Sequence, residues 1–124
     1  MDKSRFFGFW KEYSGNGFPS LLDQPTNVLD DEEAEKVANY LNRCPMWVAS
    51  PGHVKSTYSD EVAGSLSIRT DGKWAWQDTT AYFVKKYKIG LPSTFLEYLR
   101  EKNFTLDESE NIDIYNLEFP ESLI

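Results

Sequence analysis

Apolar residues recur at helical spacing in four stretches of the chain, which predicts four helices. The clearest stretch is residues 31–43, where Val37 and Leu41 fall on one face. Asp30 precedes it in the position of an N-cap, and acidic residues fill the first turns. The same spacing predicts three further helices, at residues 3–14, 79–88 (with Asp78 as its N-cap) and 92–103.

Short apolar runs separated by turn residues predict β-strands. Residues 62–77 are predicted to form a hairpin around Asp71-Gly72, a pair that is favoured in two-residue turns. In that register Trp74 and Trp76 point to the same side of the sheet. Either both sides of the hairpin are covered, or the side that carries the tryptophans is a binding surface.

Two further strands complete the prediction. Residues 46–50 are mostly apolar and predict one strand. Within residues 104–124, Ile112 and Ile114 alternate with polar side chains, and Tyr115, Leu117 and Phe119 alternate in the opposite phase, which predicts a late strand with a bulge near Ile114-Tyr115. The sequence therefore predicts a single α+β domain over residues 1–124. About four helices pack on a small, mainly antiparallel sheet that contains the hairpin at 62–77.

Charge is unevenly distributed along the chain. Twenty acidic residues against 13 basic ones give a net charge of −7. Residues 30–43 carry five acids and two bases, and residues 105–124 carry six acids and no base. Because phosphates and anionic membranes repel such a chain, neither nucleic acid nor a membrane is expected as a partner. The acids either form solvated faces or capture a basic protein such as a nuclease.

Side chains that carry catalysis or bind metals are scarce. His53 is the one histidine and Cys44 the one cysteine, so a Ser-His or Cys-His pair and a zinc site of soft ligands are not expected. Phosphate-binding glycine loops are also missing. We therefore expect no catalytic residue, no metal and no cofactor. An enzyme would need a pocket that unites His53 with Asp60, Glu61 or Asp78.

Neither a signal peptide nor an apolar run long enough to span a bilayer is predicted, so we expect a soluble, cytoplasmic protein. Residues 73–88 combine tryptophans and Tyr82 with several lysines, which is typical of platforms for single-stranded nucleic acid. The acidity of the surrounding chain disfavours that interpretation, and the lysines fit the solvent face of a helix equally well.

One stretch carries a family resemblance. The run Asp71-Gly72-Lys73-Trp74-Ala75-Trp76 is followed by Tyr82-Phe83-Val84, by Tyr87, and by Leu91-Pro92 with Phe95. This pattern, D-G-x-W-x-W … Y-F-V … Y … L-P-x-x-F, resembles that of small acidic bacterial immunity-type proteins of toxin/immunity competition systems. The match covers about residues 71–95, roughly a fifth of the chain. Its residues are features of a fold, so the resemblance implies no particular binding residue.

The charge pattern and the resemblance together predict a non-enzymatic immunity protein. It would bind and neutralise a cognate toxin, a basic nuclease that acts on tRNA, rRNA or DNA. The residues expected to contact the toxin are acids from both acidic stretches and three aromatic residues: Asp30, Asp31, Glu32, Glu35, Asp107, Glu108, Glu110, Asp113, Trp74, Trp76 and Tyr115. The alternative is a regulatory or scaffold module that binds another cellular protein. The sequence sets no oligomeric state.

Overall fold

The computed structural model describes residues 1–106 and 112–123. Within these residues the helices are α1 (Lys11–Ser14), α2 (Asp31–Arg43), α3 (Thr80–Tyr87) and α4 (Ser93–Glu101), with 3₁₀ turns at Lys3–Arg5 and Leu21–Asp23. The strands are β1 (Phe6–Phe7), β2 (Met46–Val48), β3 (Val54–Lys55), β4 (Val62–Gly64), β5 (Ile68–Thr70) and β6 (Ala75–Gln77).

Helix α2 has the predicted bounds and the predicted cap. The side chain of Asp30 accepts a hydrogen bond of 2.7 Å from the backbone N–H of Glu33, which satisfies one of the free donors of the first turn. Val37 and Leu41 are fully buried on the face that the spacing predicted. This helix packs against α3.

The main sheet has the strand order β1-β6-β5-β2. Strand β1 runs parallel to β6, whereas the other two pairings are antiparallel. Strands β3 and β4 form a separate two-stranded antiparallel sheet. The core lies between the main sheet and the helices, where Trp76 of β6 meets Phe95 of α4 and Tyr40 of α2. The predicted α+β class, with four helices on a small and mainly antiparallel sheet, is confirmed.

The predicted two-residue turn of the hairpin is wrong. Thr70 pairs with Ala75, so β5 and β6 are joined by four residues, 71–74. The carboxylate of Asp71 accepts hydrogen bonds from the backbone N–H groups of Lys73 (2.9 Å) and Trp74 (2.7 Å), and these bonds hold the wider loop. The first residues of the predicted hairpin, in β4, belong to the smaller sheet instead.

The predicted helix at residues 3–14 is also wrong. Within it only α1 is α-helical, and Lys3–Arg5 form a 3₁₀ turn; Phe6 and Phe7 pair with β6, and Gly8 turns the chain with a φ of 77°. A Cβ atom on Gly8 would lie 2.0 Å from Oγ1 of Thr80, so the backbone passes α3 at a distance that excludes any side chain. Non-local pairing with β6 therefore overrides the helical spacing of the aromatic residues.

The tail differs from the predicted late strand. Residues 112–123 contain a turn, in which the N–H of Asn116 donates to the carbonyl of Asp113, and no strand. The ring of Phe119 packs against the rings of Phe6 (5.3 Å between centroids) and Trp47 (5.2 Å). Cross-strand alternation places Phe6 and Phe7 on opposite sides of the sheet, so this tail covers the side away from the core.

Candidate protein-binding groove on helix α2

The structure excludes two of the predicted contact residues. Trp74 is 5% exposed and Trp76 is 0% exposed. The ring of Trp76 stacks on Phe7, and that of Trp74 packs edge-on against Phe95 beneath the guanidinium of Arg5. The prediction that these tryptophans face a partner is wrong, because Trp76 lies in the interior strand β6 and Trp74, in the loop before it, is covered by Phe95 and Arg5.

The second acidic stretch is described in part. Tyr115 is 92% exposed, as a contact residue must be, and its backbone N–H donates to the side chain of Asp113. Asp113 is exposed beside it. The other predicted contact residues of this stretch, Asp107, Glu108 and Glu110, lie outside the described residues.

The acids at the start of α2 lie together on the surface, and bases of this chain pair with several of them. Glu32 lies 3.0 Å from the ammonium of Lys36, and Glu33 pairs with Arg100 of α4. These pairs are at the protein surface, where solvent screens the charges and each pair adds little to stability. The negative potential here is therefore weaker than the sequence count suggests.

Asp31 is nearly fully exposed, and the ammonium of Lys88 lies 2.6 Å from its Oδ1 atom. The hydrogen bond from Lys88 lowers the pKa of Asp31 below its ordinary value. Asp30 is engaged in capping the helix. Glu35 is exposed and has no ion pair with residues 1–106 or 112–123. Of the predicted contact acids on α2, Glu35 therefore has the freest carboxylate.

A small hollow joins these acids to an aromatic ring. It has a volume of about 220 Å³ and is lined by Asp30, Glu32, Glu33, Lys36 and Phe104. The ammonium of Lys36 lies over the Phe104 ring, 5.7 Å from its centroid. Carboxylates beside an aromatic face are the combination that attracts organic cations. The hollow thus already holds one cation, supplied by the chain itself.

A second hollow continues the first along α2. It has a volume of about 450 Å³, and its lining residues are Lys36, Asn39, Asn42, Arg43, Asn103 and Phe104. The two hollows share Lys36 and Phe104, so together they form one groove between α2 and the chain that follows α4. We call this the α2 groove.

Phe104 holds its place in the groove through an unusual backbone conformation. Asn103 and Phe104 have φ angles of 54° and 56°, in the left-handed region. For a residue with a bulky side chain this conformation costs about 1–2 kcal/mol. The N–H of Phe104 donates to the carbonyl of Leu99 (2.8 Å), and Arg43 donates to the carbonyl of Phe104 (3.2 Å). These bonds fix the ring against α2.

Sequence reasoning missed half of this groove. The signal in the sequence was the pair Asn39 and Asn42 on the solvent face of a helix that otherwise exposes charged residues. Nothing in the sequence places Asn103 and Phe104 opposite them, since the two segments meet only through the packing of α4 on the core.

The basic and aromatic residues at 73–88 do not form the nucleic-acid platform that their order suggested. The tryptophans of that stretch are buried, Lys86 lies 2.7 Å from Glu61, and Lys88 is paired with Asp31. The hydroxyl of Tyr82 donates to Glu61 at 3.3 Å. Lys86, Lys88 and Tyr82 thus contact acidic residues of this chain.

The carboxylates that an enzyme would need have other partners. Glu61 binds Lys86, which lowers the pKa of Glu61. Asp78 binds Arg69 and Ser65 rather than capping α3. In the part of the chain that the structure describes, no group of three His, Cys, Asp or Glu residues is placed to hold a metal ion. Within the same residues, no helix has the length and apolarity that crossing a bilayer requires.

Comparison with known proteins adds no relative. No family model matches the sequence. No curated protein matches it, and no solved structure resembles it at a significant level.

Proposed function

We propose that this chain is a cytoplasmic immunity-type protein that binds and neutralises a cognate bacterial toxin without catalysing a reaction. The toxin is a basic protein, a nuclease whose substrate is tRNA, rRNA or DNA. The observation that carries the proposal is the hollow at the start of α2, where carboxylates and the Phe104 ring surround an ammonium group.

Binding follows from exchange at that hollow. A guanidinium of the toxin replaces the ammonium of Lys36 over the Phe104 ring, because the planar Arg group stacks on rings and pairs with carboxylates better than an ammonium does. Glu32 then pairs with the incoming cation and Lys36 swings into solvent. Since Lys36 is half-exposed, its release requires little repacking.

The exposed acids mainly raise the rate at which the toxin associates with this chain. Glu35 and Asp113 are at the surface, where charge speeds the approach of a basic protein more than it strengthens the final complex. Tyr115, which is 92% exposed, supplies an apolar contact of the kind that dominates binding energy at interfaces.

The test is whether this chain neutralises the product of a neighbouring gene that encodes a large, secreted, toxin-like protein. Expression of its terminal domain should stop growth, and co-expression of this chain should restore it. The double reversal Glu32→Lys and Glu35→Lys should lower the association rate more than tenfold at low salt and less at high salt. Asp23→Lys with Asp60→Lys makes the same change in net charge at two exposed positions outside the groove and should retain most of the rate.

Growth that stays arrested in the presence of the wild-type chain would refute the proposal. Tight binding without rescue of growth would instead make the chain a scaffold or regulatory module.

A further inference from the structure

Three carboxamides of the α2 groove have no assigned use in the fold. The side chains of Asn39, Asn42 and Asn103 are exposed, line the same hollow of about 450 Å³, and make no hydrogen bond with residues 1–106 or 112–123. Each offers two donors and one acceptor. The hollow is therefore lined by amide groups that are free to bind a ligand.

Two of these residues, Asn39 and Asn42, do not stabilise helix α2. Asparagine is a poor helix former, up to about 0.7 kcal/mol less favourable than alanine, and it is usually found where its amide caps a helix or closes a turn. Asn39 and Asn42 lie inside α2 and do neither. The opposite wall is formed by Phe104, whose left-handed backbone is held by Leu99 and Arg43. Such strain persists when the surrounding structure fixes the residue, and it is common in binding sites.

We infer that the α2 groove binds an extended peptide segment of the partner and that the asparagine carboxamides pair with its backbone. A carboxamide presents the same donor and acceptor as a peptide group, so it recognises backbone irrespective of side chain. From Asp30 to Arg43, α2 runs about 20 Å at 1.5 Å per residue. An extended segment of about six residues has the same length.

Charge complementarity determines where the segment carries basic residues and in which direction it lies along α2. Its basic end lies at the hollow lined by Asp30, Glu32 and Glu33, and its uncharged middle lies on the carboxamides. A nucleic acid fits this groove less well, because those three acids face its phosphates. The linings of the two hollows hold these three acids against two bases, Lys36 and Arg43, so the groove as a whole is net acidic.

The inference rests on the proposed function only in taking a protein as the partner, and it can be tested without the toxin. The full chain is panned against a displayed library of random dodecapeptides, and enriched peptides are synthesised. We expect sequences with Lys or Arg towards one end. Asn39→Ala with Asn42→Ala should weaken their binding at least tenfold in calorimetry. Alanine favours helix, so this variant folds. Asn16→Ala, at an exposed turn outside the groove, is the matched control and should bind normally.

Two further measurements read the backbone contact directly. Methylation of the peptide's central amide nitrogens removes donors and should abolish binding. In the amide spectrum of the protein, the side-chain NH₂ signals of Asn39, Asn42 and Asn103 should shift on addition of peptide, while that of Asn16 stays in place.

Three results would overturn the inference. They are the absence of enriched peptides, equal affinity of peptides for the double variant and the wild type, and displacement of bound peptide by a ten-nucleotide single-stranded RNA. The neutralisation assay separates this outcome from failure of the proposed function. If the wild type rescues growth and the double asparagine variant binds the toxin with unchanged affinity, the proposed function stands and the inference about the groove is wrong.

Discussion

The replacement of Asp78 by asparagine tests how the two sheets are held together. Oδ1 of Asp78 lies 2.6 Å from Nε of Arg69 in β5, and its Oδ2 accepts hydrogen bonds from the backbone N–H (3.0 Å) and hydroxyl (2.9 Å) of Ser65, which follows β4. The side chains of Asp78 and Arg69 are 13% and 18% exposed. One carboxylate thus joins β4 of the smaller sheet to β5 of the main sheet.

Asparagine has the same shape but turns one acceptor into a donor. That donor must face either Arg69 or Ser65, which are themselves donors, so one contact is lost on either side. Removal of one partner from a buried ion pair costs about 3–5 kcal/mol. Because Asp78 and Arg69 keep some solvent contact, we expect a loss of about 2–3 kcal/mol. In a domain of this length that lowers the Tm by about 10 °C.

Urea unfolding at pH 7 measures the loss. Asp60→Asn is the matched control, since Asp60 is exposed and should change the free energy of unfolding by less than about 0.5 kcal/mol. A loss for Asp78→Asn below about 1 kcal/mol, or equal to that of the control, would refute the role assigned to the carboxylate.

The pH dependence gives a second check on Asp78. Burial raises the pKa of this carboxyl, but the bonds from Arg69 and Ser65 outweigh burial and lower it below the ordinary 3.8. A carboxylate with a lowered pKa stabilises the fold above its unfolded pKa, and that stabilisation is lost as the pH falls through the folded pKa. The difference in stability between wild type and Asp78→Asn should therefore be full at pH 6 and shrink below about pH 4.

Two further substitutions test the packing of the N-terminal segment and the tail. Gly8→Ala should lower the free energy of unfolding by more than about 2 kcal/mol, because its Cβ would lie 2.0 Å from Thr80. Gly15→Ala is the control for backbone strain without a clash, since Gly15 also has a positive φ but no atom within 4 Å of the added Cβ. Equal losses for the two variants in urea unfolding would contradict the clash. Phe119→Ala should lower the free energy of unfolding by about 1–2 kcal/mol and shift tryptophan emission to the red, because it uncovers Trp47. The other three tryptophans are at most 6% exposed, so the shift reports on Trp47. Unchanged emission would show that the Phe119 ring does not shield Trp47.

Local signals made α2 predictable. The cap on Asp30 and the apolar stripe of Val37 and Leu41 lie within one short stretch, and the structure shows both at the predicted residues. The helix at residues 92–103 was predictable for the same reason, and α4 lies within it.

The hairpin loop depended on a contact that the sequence does not show. Asp71-Gly72 suits a two-residue turn, but the hydroxyl of Tyr40 in α2 donates to the Asp71 carboxylate at 2.7 Å. That carboxylate also accepts the N–H groups of Lys73 and Trp74, so it is held inside a four-residue loop. A helix distant in sequence therefore helps to fix the register.

The candidate site was predicted in part, for a similar reason. The acids of α2 are neighbours in sequence, so their clustering could be predicted, whereas the bases that pair with Asp31 and Glu33 come from later elements. Strand alternation predicted that Trp74 and Trp76 share a side of the sheet. It carried no information on whether helices cover that side, and they do.

The parallel pairing of β1 with β6 has a consequence for synthesis of the protein. Phe6 and Phe7 leave the ribosome well before β6, the strand with which they pair. Until β6 emerges the Phe7 ring has no Trp76 to stack on, and the segment that carries β1 cannot take its place in the sheet. Closure of the core thus waits until β6 has left the ribosome, and the aromatic residues of β1 stay accessible to chaperones until then.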